Sequence, residues 1–284
     1  MKTHKKIAKL KLALREVRSE EKSVGFVPTM GFLHAGHLSL VKASIERADC
    51  TVVSLFVNPT QFGPKEDFDE YPRDLERDSR LLEELGIDYL FCPDPEEIYP
   101  HDYKTYVEVK DLQDVMEGRS RPGHFRGVCT VVLKLLNIVR PDVAFFGQKD
   151  AQQAIILQKM AKDLNLDVRI EVMPTVREKD GLALSSRNVY LDPQQRQSAL
   201  CLSRSLDEAV RMIRSGERRA GPIRDRMMEI IEGEDLAKLD YIAIVDPVSL
   251  KPLTEIKQEA LIALAVFFGK VRLIDNRIVP QRSE

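Results

Sequence analysis

The sequence predicts an α/β protein in which a mostly parallel β-sheet, covered by helices on both faces, is followed by a smaller α+β domain. Short runs rich in β-branched residues alternate with segments of helical spacing, which is typical of a parallel sheet. After Pro174 this alternation stops, because consecutive helices are followed by consecutive strands. We therefore place the two domains at residues 1–175 and 176–284.

The first domain is predicted to begin with an amphipathic helix. Leu10, Leu14 and Val17 recur at i, i+4 and i+7, and the other face carries lysines and arginines. We expect this apolar stripe to pack on the first domain. The opening residues lack the uninterrupted apolar stretch of a secretory signal, so we expect none.

Strands and helices then alternate as far as Pro174. Gly86 is the expected end of one helix and Pro93 the expected end of the next strand. In chain order the predicted segments are the strand SVGFVPT, the helix HLSLVKASIERA, the strand CTVVSLFVNPT, the helix YPRDLERDSRLLEELG, the strand IDYLFCP, the helix, turn and strand of GVCTVVLKLLNIVRPDVAFFGQKD, the helix AQQAIILQKMAKDLN and the strand LDVRIEVMP.

The second domain is predicted to contain helices first and strands later. DPQQRQSALCLSRSLDEAVRMIRSGE and GPIRDRMMEIIEG have helical spacing, whereas DYIAIVDP and ALIALAVFFGKVRLIDN read as strands.

Composition favours a soluble protein that acts on small molecules. Hydrophobic residues make up 43% of the 284 residues, and no apolar stretch approaches the roughly 20 residues of a membrane helix. The formal net charge of −2 does not provide the basic surface that nucleic-acid binding requires, so no nucleic-acid partner is expected. The four cysteines contain no C-x-x-C pair, which fits a reducing cytoplasm.

Polar residues follow three of the predicted strands. In a parallel α/β sheet, ligands bind beyond the carboxyl ends of the strands, where the strand order reverses. We expect these residues to converge on one cleft. They are Pro28, Thr29, Met30, Gly31, His34, Gly36 and His37 after the first strand, Asn58, Pro59, Thr60 and Gln61 after the second, and Gly147, Gln148, Lys149 and Asp150 after a later one.

The segment HAGH sets two histidines three residues apart at the start of a predicted helix. His34 and His37 would project from one face of the first turn, and Gly36 would leave room for a ring or a phosphate. The helix N-terminus favours an anion, and the imidazoles could stabilise charge developing at phosphorus. Alternatively, His34 caps the helix and His37 packs against the sheet.

The sequence disfavours three other classes of site. His34, His37 and His124 could supply three metal ligands, but the segment lacks the glutamate of H-E-x-x-H. Neither G-x-G-x-x-G after the first strand nor a Walker A sequence is present, which disfavours a dinucleotide site and a P-loop kinase.

Two further segments are ambiguous on their own. In LALSSRN, Ser185, Ser186 and Arg187 would make a phosphate clamp, or the serines would simply cap a helix. RSRPGHFRG is either an anion-binding lid or a solvated loop.

Together these motifs resemble the pantothenate synthetase family, the ATP-dependent ligases of pantoate and β-alanine. The resemblance rests on PTMGFLHAGHLSLV, FVNPTQFGPKEDFDEYPRDLERD, RPGHFRGVCTVVLKLLNIVRPDVAFFGQKDAQQ and REKDGLALSSRNVYL, which occur in this order. HAGH is similar to the HIGH-type signature of the nucleotidyltransferase superfamily, and LSSRN to its KMSKS-type loop. The family more often has glutamate at position 35 and methionine at position 184, where this chain has Ala35 and Leu184.

The resemblance implies a Rossmann-like domain that binds nucleotide and pantoate, and a smaller C-terminal domain that covers the active site. It implies His37 as proton donor, with His34 beside it on the triphosphate and Lys149 and Arg187 as further catalytic groups. Asn58, Gln61 and Gln153 would bind pantoate, Gln61 also serving β-alanine. The implied ATP site comprises Met30, Gly31, Phe32, Leu33, His34, Ala35, Gly36, His37, Gly147, Gln148, Lys149, Asp150, Val176, Leu184, Ser185, Ser186 and Arg187.

The resemblance further implies adenylation of pantoate by ATP with Mg²⁺, attack of β-alanine on the adenylate, and a cytoplasmic homodimer. No residue is assigned as a metal ligand. The absence of an evident nucleophilic triad or poised cysteine agrees with adenylation rather than an acyl-enzyme. Two alternatives stay open at this point, namely a different nucleotidyl transferase and a non-catalytic nucleotide-binding module.

Overall fold

The chain divides into two compact units. A computed structural model describes residues 1–64 and 66–280. The larger unit comprises residues 1–148 and 152–174, and the smaller unit comprises residues 149–151 and 175–284.

Nine strands and ten helices are formed within the described residues. The strands are β1 (Lys2–His4), β2 (Val24–Thr29), β3 (Cys50–Leu55), β4 (Tyr89–Phe91), β5 (Val143–Gly147), β6 (Arg169–Met173), β7 (Ala237–Val245), β8 (Ala260–Phe268) and β9 (Val271–Val279). The helices are α1 (Ile7–Ser19), α2 (Ala35–Arg47), α3 (Leu75–Leu85), α4 (Pro95–Ile98), α5 (Glu117–Ser120), α6 (His124–Val139), α7 (Ala151–Asp163), α8 (Pro193–Ser198), α9 (Cys201–Arg214) and α10 (Ala220–Glu232). Short 3₁₀ turns lie at Pro59–Gln61, Gln148–Asp150 and Ser186–Tyr190.

The larger unit contains a six-stranded sheet in the order β1-β4-β3-β2-β5-β6, and every strand pair in it is parallel. The chain proceeds from β2 outward through β3 to β4, and then returns to the other side of β2 to form β5 and β6. Strand order therefore reverses at β2, which is where an open α/β sheet places its ligand. The predicted Rossmann-like sheet is confirmed.

The core of the larger unit explains why these segments form strands and helices. Val27, Val53 and Phe145 are fully buried on the sheet, and Val41 of α2 and Leu82 of α3 are fully buried against them. Apolar β-branched runs that are buried in this way are typical of a parallel sheet.

Helix α2 approaches β2 closely. A Cβ atom on Gly25 would lie 2.3 Å from the Ser44 hydroxyl oxygen, so only glycine allows this spacing. The Ser44 hydroxyl meets that of Thr51 at 2.9 Å, which satisfies both groups between helix and sheet. This packing fixes the direction in which α2 leaves the end of β2.

The N-terminal prediction is confirmed in part. Leu10 and Leu14 of α1 are fully buried, as the apolar stripe requires. The first residues, however, form strand β1, which pairs with β4 from Lys2 to His4 and was not predicted. Three residues without apolar alternation carry no strand signal, because their pairing comes from the exposed edge of β4.

The smaller unit is an α+β unit, as predicted. Strands β7, β8 and β9 form an antiparallel sheet in that order, with β8 and β9 joined at Gly269 and Lys270. Its core joins β8 to α9 and α10, for example through the fully buried Leu206, Ile223 and Leu264. Among the described residues, no helix is long and apolar enough to cross a membrane.

Candidate active site

The turn after β2 has an unusual backbone that a buried carboxylate holds in place. Gly31 and Phe32 both have positive φ angles, 89° and 50°. Asp78 of α3, 1% exposed, accepts hydrogen bonds from the backbone N–H groups of Phe32 at 2.6 Å and Leu33 at 2.9 Å. Arg77 donates to the carbonyl oxygen of Leu33 at 2.8 Å. The start of α3 thereby fixes the turn that leads into the HAGH segment.

Asp78 was not identified from the sequence. Burial raises the pKa of its carboxyl, while the N–H groups of Leu33 and Phe32 act in the opposite direction. Its signal is the spacing to Leu82, since an acidic residue four positions before a core leucine lies on the apolar face of the helix.

His34 and His37 form a reciprocal cap at the N-terminus of α2. Nδ1 of His34 accepts from the backbone N–H of Gly36 at 3.1 Å, and the backbone N–H of His34 points to Nδ1 of His37 at 3.4 Å. The ring centroids are 4.1 Å apart. Because each Nδ1 is an acceptor, the proton of each neutral ring lies on Nε2.

This arrangement combines the two interpretations of HAGH. His34 caps the helix, but both rings are half-buried rather than enclosed in the core, and each neutral ring carries an Nε2–H donor. The site can therefore present two imidazole donors and a helix N-terminus to an anion.

Asn58 and Gln61 occupy the turn after β3, and the structure brings Gln61 to the turn after β2. Nδ2 of Asn58 donates to Oε1 of Gln61 at 3.0 Å, which leaves Nε2 of Gln61 beside the sulfur of Met30 at 3.1 Å. Asn58 is 1% exposed, and its Oδ1 accepts from the hydroxyl of Tyr99 at 2.8 Å. Asn58 therefore orients Gln61, and a direct contact of Asn58 with substrate stays a prediction.

Helix α6 supports the same turn. Asn58 also donates to the carbonyl oxygen of Gly127 at 3.2 Å. A Cβ atom on Gly127 would lie 2.3 Å from the carbonyl oxygen of Thr60 and 2.6 Å from the backbone nitrogen of Gln61. Position 127 must therefore be glycine for α6 to approach Gln61.

His124, one of the three possible metal ligands in the sequence, has a protein contact at each ring nitrogen. Nδ1 lies 2.8 Å from the carbonyl oxygen of Gln61, and Nε2 lies 3.1 Å from Nη1 of Arg121. Arginine only donates and a carbonyl only accepts, so Nδ1 carries the proton. Arg121 also pairs with Glu66 at 2.6 Å.

Burial, followed by the charge of Arg121, lowers the pKa of His124 to about 4. His124 is therefore neutral at pH 7 and holds the backbone of Gln61 as a donor. Among the described residues, no group of three or more His, Cys, Asp or Glu side chains could hold a metal ion.

Gln153 lies on α7, where it is half-buried. Its neighbour Gln152, 3% exposed, accepts from the backbone N–H of Glu117 and donates to the carbonyl oxygens of Leu112 and Val115. The hydrogen bonds of the described residues do not join Gln153 to Gln61 or Asn58, so its role stays a prediction.

The smaller unit carries the remaining predicted residues. The backbone N–H of Leu184 donates to the carbonyl oxygen of Val176 at 3.0 Å, which brings these two positions together in a short hairpin. Ser185 caps the following 3₁₀ turn, its hydroxyl accepting from the backbone N–H of Arg187 at 3.2 Å. The cap expected for adjacent serines is thus present, and it presents Ser186 and Arg187 at the start of the turn.

Lys149 and Asp150 follow β5 and Gly147, yet they belong to the smaller unit, whereas Gln148 belongs to the larger one. Nζ of Lys149 lies 3.5 Å from a carboxylate oxygen of Asp150. This assignment of Lys149 was not expected from the sequence, which placed it in the first domain.

Comparisons with known proteins give one consistent family match. The family model described as pantoate-beta-alanine ligase matches residues 2–278. A pantothenate synthetase of Pelotomaculum thermopropionicum is 57% identical over 275 residues, which cover 97% of this chain and 98% of that protein. One of Fervidobacterium nodosum is 56% identical over 273 residues, covering 96% and 97%.

Solved structures give the same result. The crystal structure of pantothenate synthetase from Thermus thermophilus is similar with a TM-score of 0.93 and 45% identity, covering 98% of this chain and 99% of the other. That of pantoate-beta-alanine ligase from Francisella tularensis, complexed with beta-gamma ATP and beta-alanine, has a TM-score of 0.79 and 35% identity, with coverage of 98% and 97%.

Proposed function

Since the chain belongs to the pantoate–β-alanine ligase family, we propose how its side chains carry out the condensation that defines that family. The protein is an ATP-dependent ligase that joins pantoate to β-alanine and releases AMP and pyrophosphate. The observation that carries the proposed division of roles is the two-histidine cap of α2, at the strand where the sheet order reverses.

In the first step a carboxylate oxygen of pantoate bonds to the α-phosphorus of ATP, and the bond from that phosphorus to the bridging oxygen breaks, releasing pyrophosphate. Negative charge grows on the phosphate oxygens and on the leaving group. His37 donates from Nε2 to this charge, with His34 beside it, and the N-terminus of α2 adds a positive dipole. Residues Met30 to Gly36 form the backbone cradle of the nucleotide.

Gln61 orients pantoate for this attack. Its Oε1 accepts from Asn58 and its Nε2 donates to the sulfur of Met30, so the second N–H of the Gln61 amide is the donor directed to a ligand. A directed N–H favours an acceptor such as the pantoate carboxylate or a hydroxyl oxygen. Gln153 supplies the second amide for pantoate, and Gln61 also serves β-alanine.

The smaller unit supplies charge for the phosphates. Lys149 and Arg187 stabilise the triphosphate, and Ser185 and Ser186 add hydroxyl groups. Gly147, Gln148, Asp150, Val176 and Leu184 complete the nucleotide site. Mg²⁺ would enter with ATP as part of the substrate and would neutralise phosphate charge.

In the second step the amine of β-alanine attacks the acyl carbon of the adenylate, the bond to the phosphate oxygen breaks, and AMP leaves as the amine loses a proton. An acyl-enzyme on cysteine is disfavoured. Burial raises the pKa of Cys92 to about 11 and that of Cys50, Cys129 and Cys201 to about 12, so none is a thiolate at pH 7.

We place the enzyme in the cytoplasm as a homodimer. All four cysteines are buried and unpaired, which supports a reducing compartment. The dimer rests on family resemblance.

The test is release of AMP with each substrate omitted in turn. We expect AMP release to be sustained only when ATP, Mg²⁺, pantoate and β-alanine are all present. The AMP release of a different nucleotidyl transferase would not depend on pantoate and β-alanine, and a binding module would form no AMP under any condition. Either result would overturn the proposal.

A further inference from the structure

Lys149 is held by the last strand of the smaller unit. Nδ2 of Asn276, in β9, donates to the carbonyl oxygen of Lys149 at 2.9 Å. Asn276 is 4% exposed, so the donor of this hydrogen bond is buried. Lys149–Ala151 belong to the smaller unit, although the chain on both sides belongs to the larger one.

The residue before Asn276 holds a second segment. Asp275, 2% exposed, forms a two-pronged ion pair with Arg177, with N–O distances of 2.6 and 2.7 Å. Nη1 of Arg177 also donates to the carbonyl oxygen of Gly181 at 2.9 Å. Arg177 thereby closes the hairpin that it forms with Ala183, in which Gly181 turns the chain with a φ angle of 97°.

This hairpin leads directly into the 3₁₀ turn that carries Ser186 and Arg187. A bidentate guanidinium–carboxylate pair fixes orientation as well as distance, which a single hydrogen bond does not. The adjacent residues Asp275 and Asn276 therefore each hold one of the two nucleotide-site segments of the smaller unit. The backbone N–H of Asn276 also donates to Oδ1 of Asp275 at 2.7 Å.

We propose that Asp275 and Asn276 are positioning residues for adenylation, Asn276 through the backbone of Lys149 and Asp275 through Arg177 and the hairpin before Arg187. The inference rests on the proposed function, in which Lys149 and Arg187 act on the phosphates. Neither Asp275 nor Asn276 touches substrate in this account. Their effect is to keep a lysine and an arginine, 38 positions apart in sequence, in one fixed relation.

The first test is a double-mutant cycle between Asn276→Ala and Lys149→Ala. We expect Asn276→Ala to lower kcat/KM for ATP about tenfold or more, since small misplacements of a catalytic group are costly. The KM for β-alanine should stay near the wild-type value. In the Lys149→Ala background the same substitution should have little further effect, because the residue acts through Lys149.

Controls separate positioning from folding. Lys257→Ala, elsewhere in the smaller unit, removes only an exposed pair with Glu255 and should leave kcat/KM for ATP unchanged. Asn276→Asp keeps the shape but lacks the N–H donor, so it should lose activity as Asn276→Ala does. All variants are assayed below their own Tm.

The outcomes are distinct. An equal loss from Asn276→Ala in both backgrounds would show a purely structural role and overturn the inference. Wild-type activity of Asn276→Ala while Lys149→Ala is impaired would also overturn it. Wild-type activity of Lys149→Ala itself would instead remove Lys149 from the proposed function.

The Asp275 branch is tested at Arg177, because removing the carboxylate would leave a buried guanidinium unpaired and risk unfolding. Arg177→Lys keeps the charge but loses the two-pronged geometry. We expect it to lower kcat/KM for ATP several-fold, with most of that loss absent in the Arg187→Ala background. An undiminished loss there would exclude action through Arg187.

Discussion

Nδ2 of Asn58 donates to Oε1 of Gln61 across 3.0 Å and so decides which end of the Gln61 amide is available to a ligand. The Tyr99 hydroxyl in turn donates to Oδ1 of Asn58 at 2.8 Å, so the amide of Asn58 cannot reverse without losing a partner. The orientation of the Gln61 amide is therefore set by the buried Asn58, which the Tyr99 hydroxyl holds in turn.

Removing Asn58 should impair the enzyme through Gln61. We expect Asn58→Ala to raise the KM for pantoate about tenfold or more, because the Gln61 amide loses its fixed orientation. Combined with Gln61→Ala, it should add little. The control is Asn137→Ala, which removes an exposed contact to the carbonyl oxygen of Leu133. Additive effects of Asn58→Ala and Gln61→Ala on the KM for pantoate would contradict the proposed coupling.

His37→Ala should fold but lose most of its adenylation rate. Loss of one preorganised donor commonly costs about 100-fold or more in kcat. The measurement is single-turnover formation of pyrophosphate, with a thermal melt of the same sample. His101→Ala, at an exposed position, serves as the control. A folded variant with the wild-type rate would remove His37 from the chemistry, and an unfolded one would assign it to the core.

His124 should make stability depend on pH. The pKa of His124 is about 4 in the folded protein and near 6.5 in the unfolded chain. Between these pH values the unfolded state therefore binds more protons than the folded state. Stability should fall as pH drops from 6.5 to about 4, by up to about 3 kcal/mol from this group.

His124→Gln should remove that part of the pH dependence, whereas His101→Gln should retain it. The free energy of unfolding in urea at pH 7 and pH 4.5 measures the difference. Arg121, Glu66 and Glu117 are the charged groups that act on His124 in the folded protein. An unchanged pH slope in His124→Gln would contradict the assignment of His124 as a neutral donor.

Arg187→Ala and Lys149→Ala should each reduce kcat/KM for ATP. Arg187→Lys should restore only part of the activity, since an ammonium cannot reproduce the planar fork of donors. Steady-state kinetics with varied ATP measure this, and Arg211→Lys on the exposed face of α9 is the control. Full rescue by lysine would show that charge alone is required.

The fold was predictable from the sequence wherever local pattern and tertiary role coincide. Val24–Thr29 and Cys50–Leu55 are buried apolar runs, and Gly86 ends α3 in the left-handed conformation that favours glycine. Strand β1 was missed because its three residues are ordered by an edge of the sheet and not by their own pattern.

The motifs of the candidate site were predictable from the sequence, but the distant residues that hold those motifs in place were not. HAGH and LSSRN are continuous in sequence, so their residues could be named in advance. Asp78 reaches the turn at Phe32 from 46 positions away, and Asn276 reaches Lys149 from 127 positions away. Such contacts are created by the fold, and a polar residue in an amphipathic helix or an edge strand does not reveal its partner in advance.

The order of the two steps is tested most directly by isotope exchange between pyrophosphate and ATP. If pantoate is adenylated first, labelled pyrophosphate should enter ATP when ATP, Mg²⁺ and pantoate are present and β-alanine is absent, and Gln61→Ala should suppress this exchange. An exchange that requires β-alanine, or release of ADP in place of AMP, would contradict the adenylate mechanism.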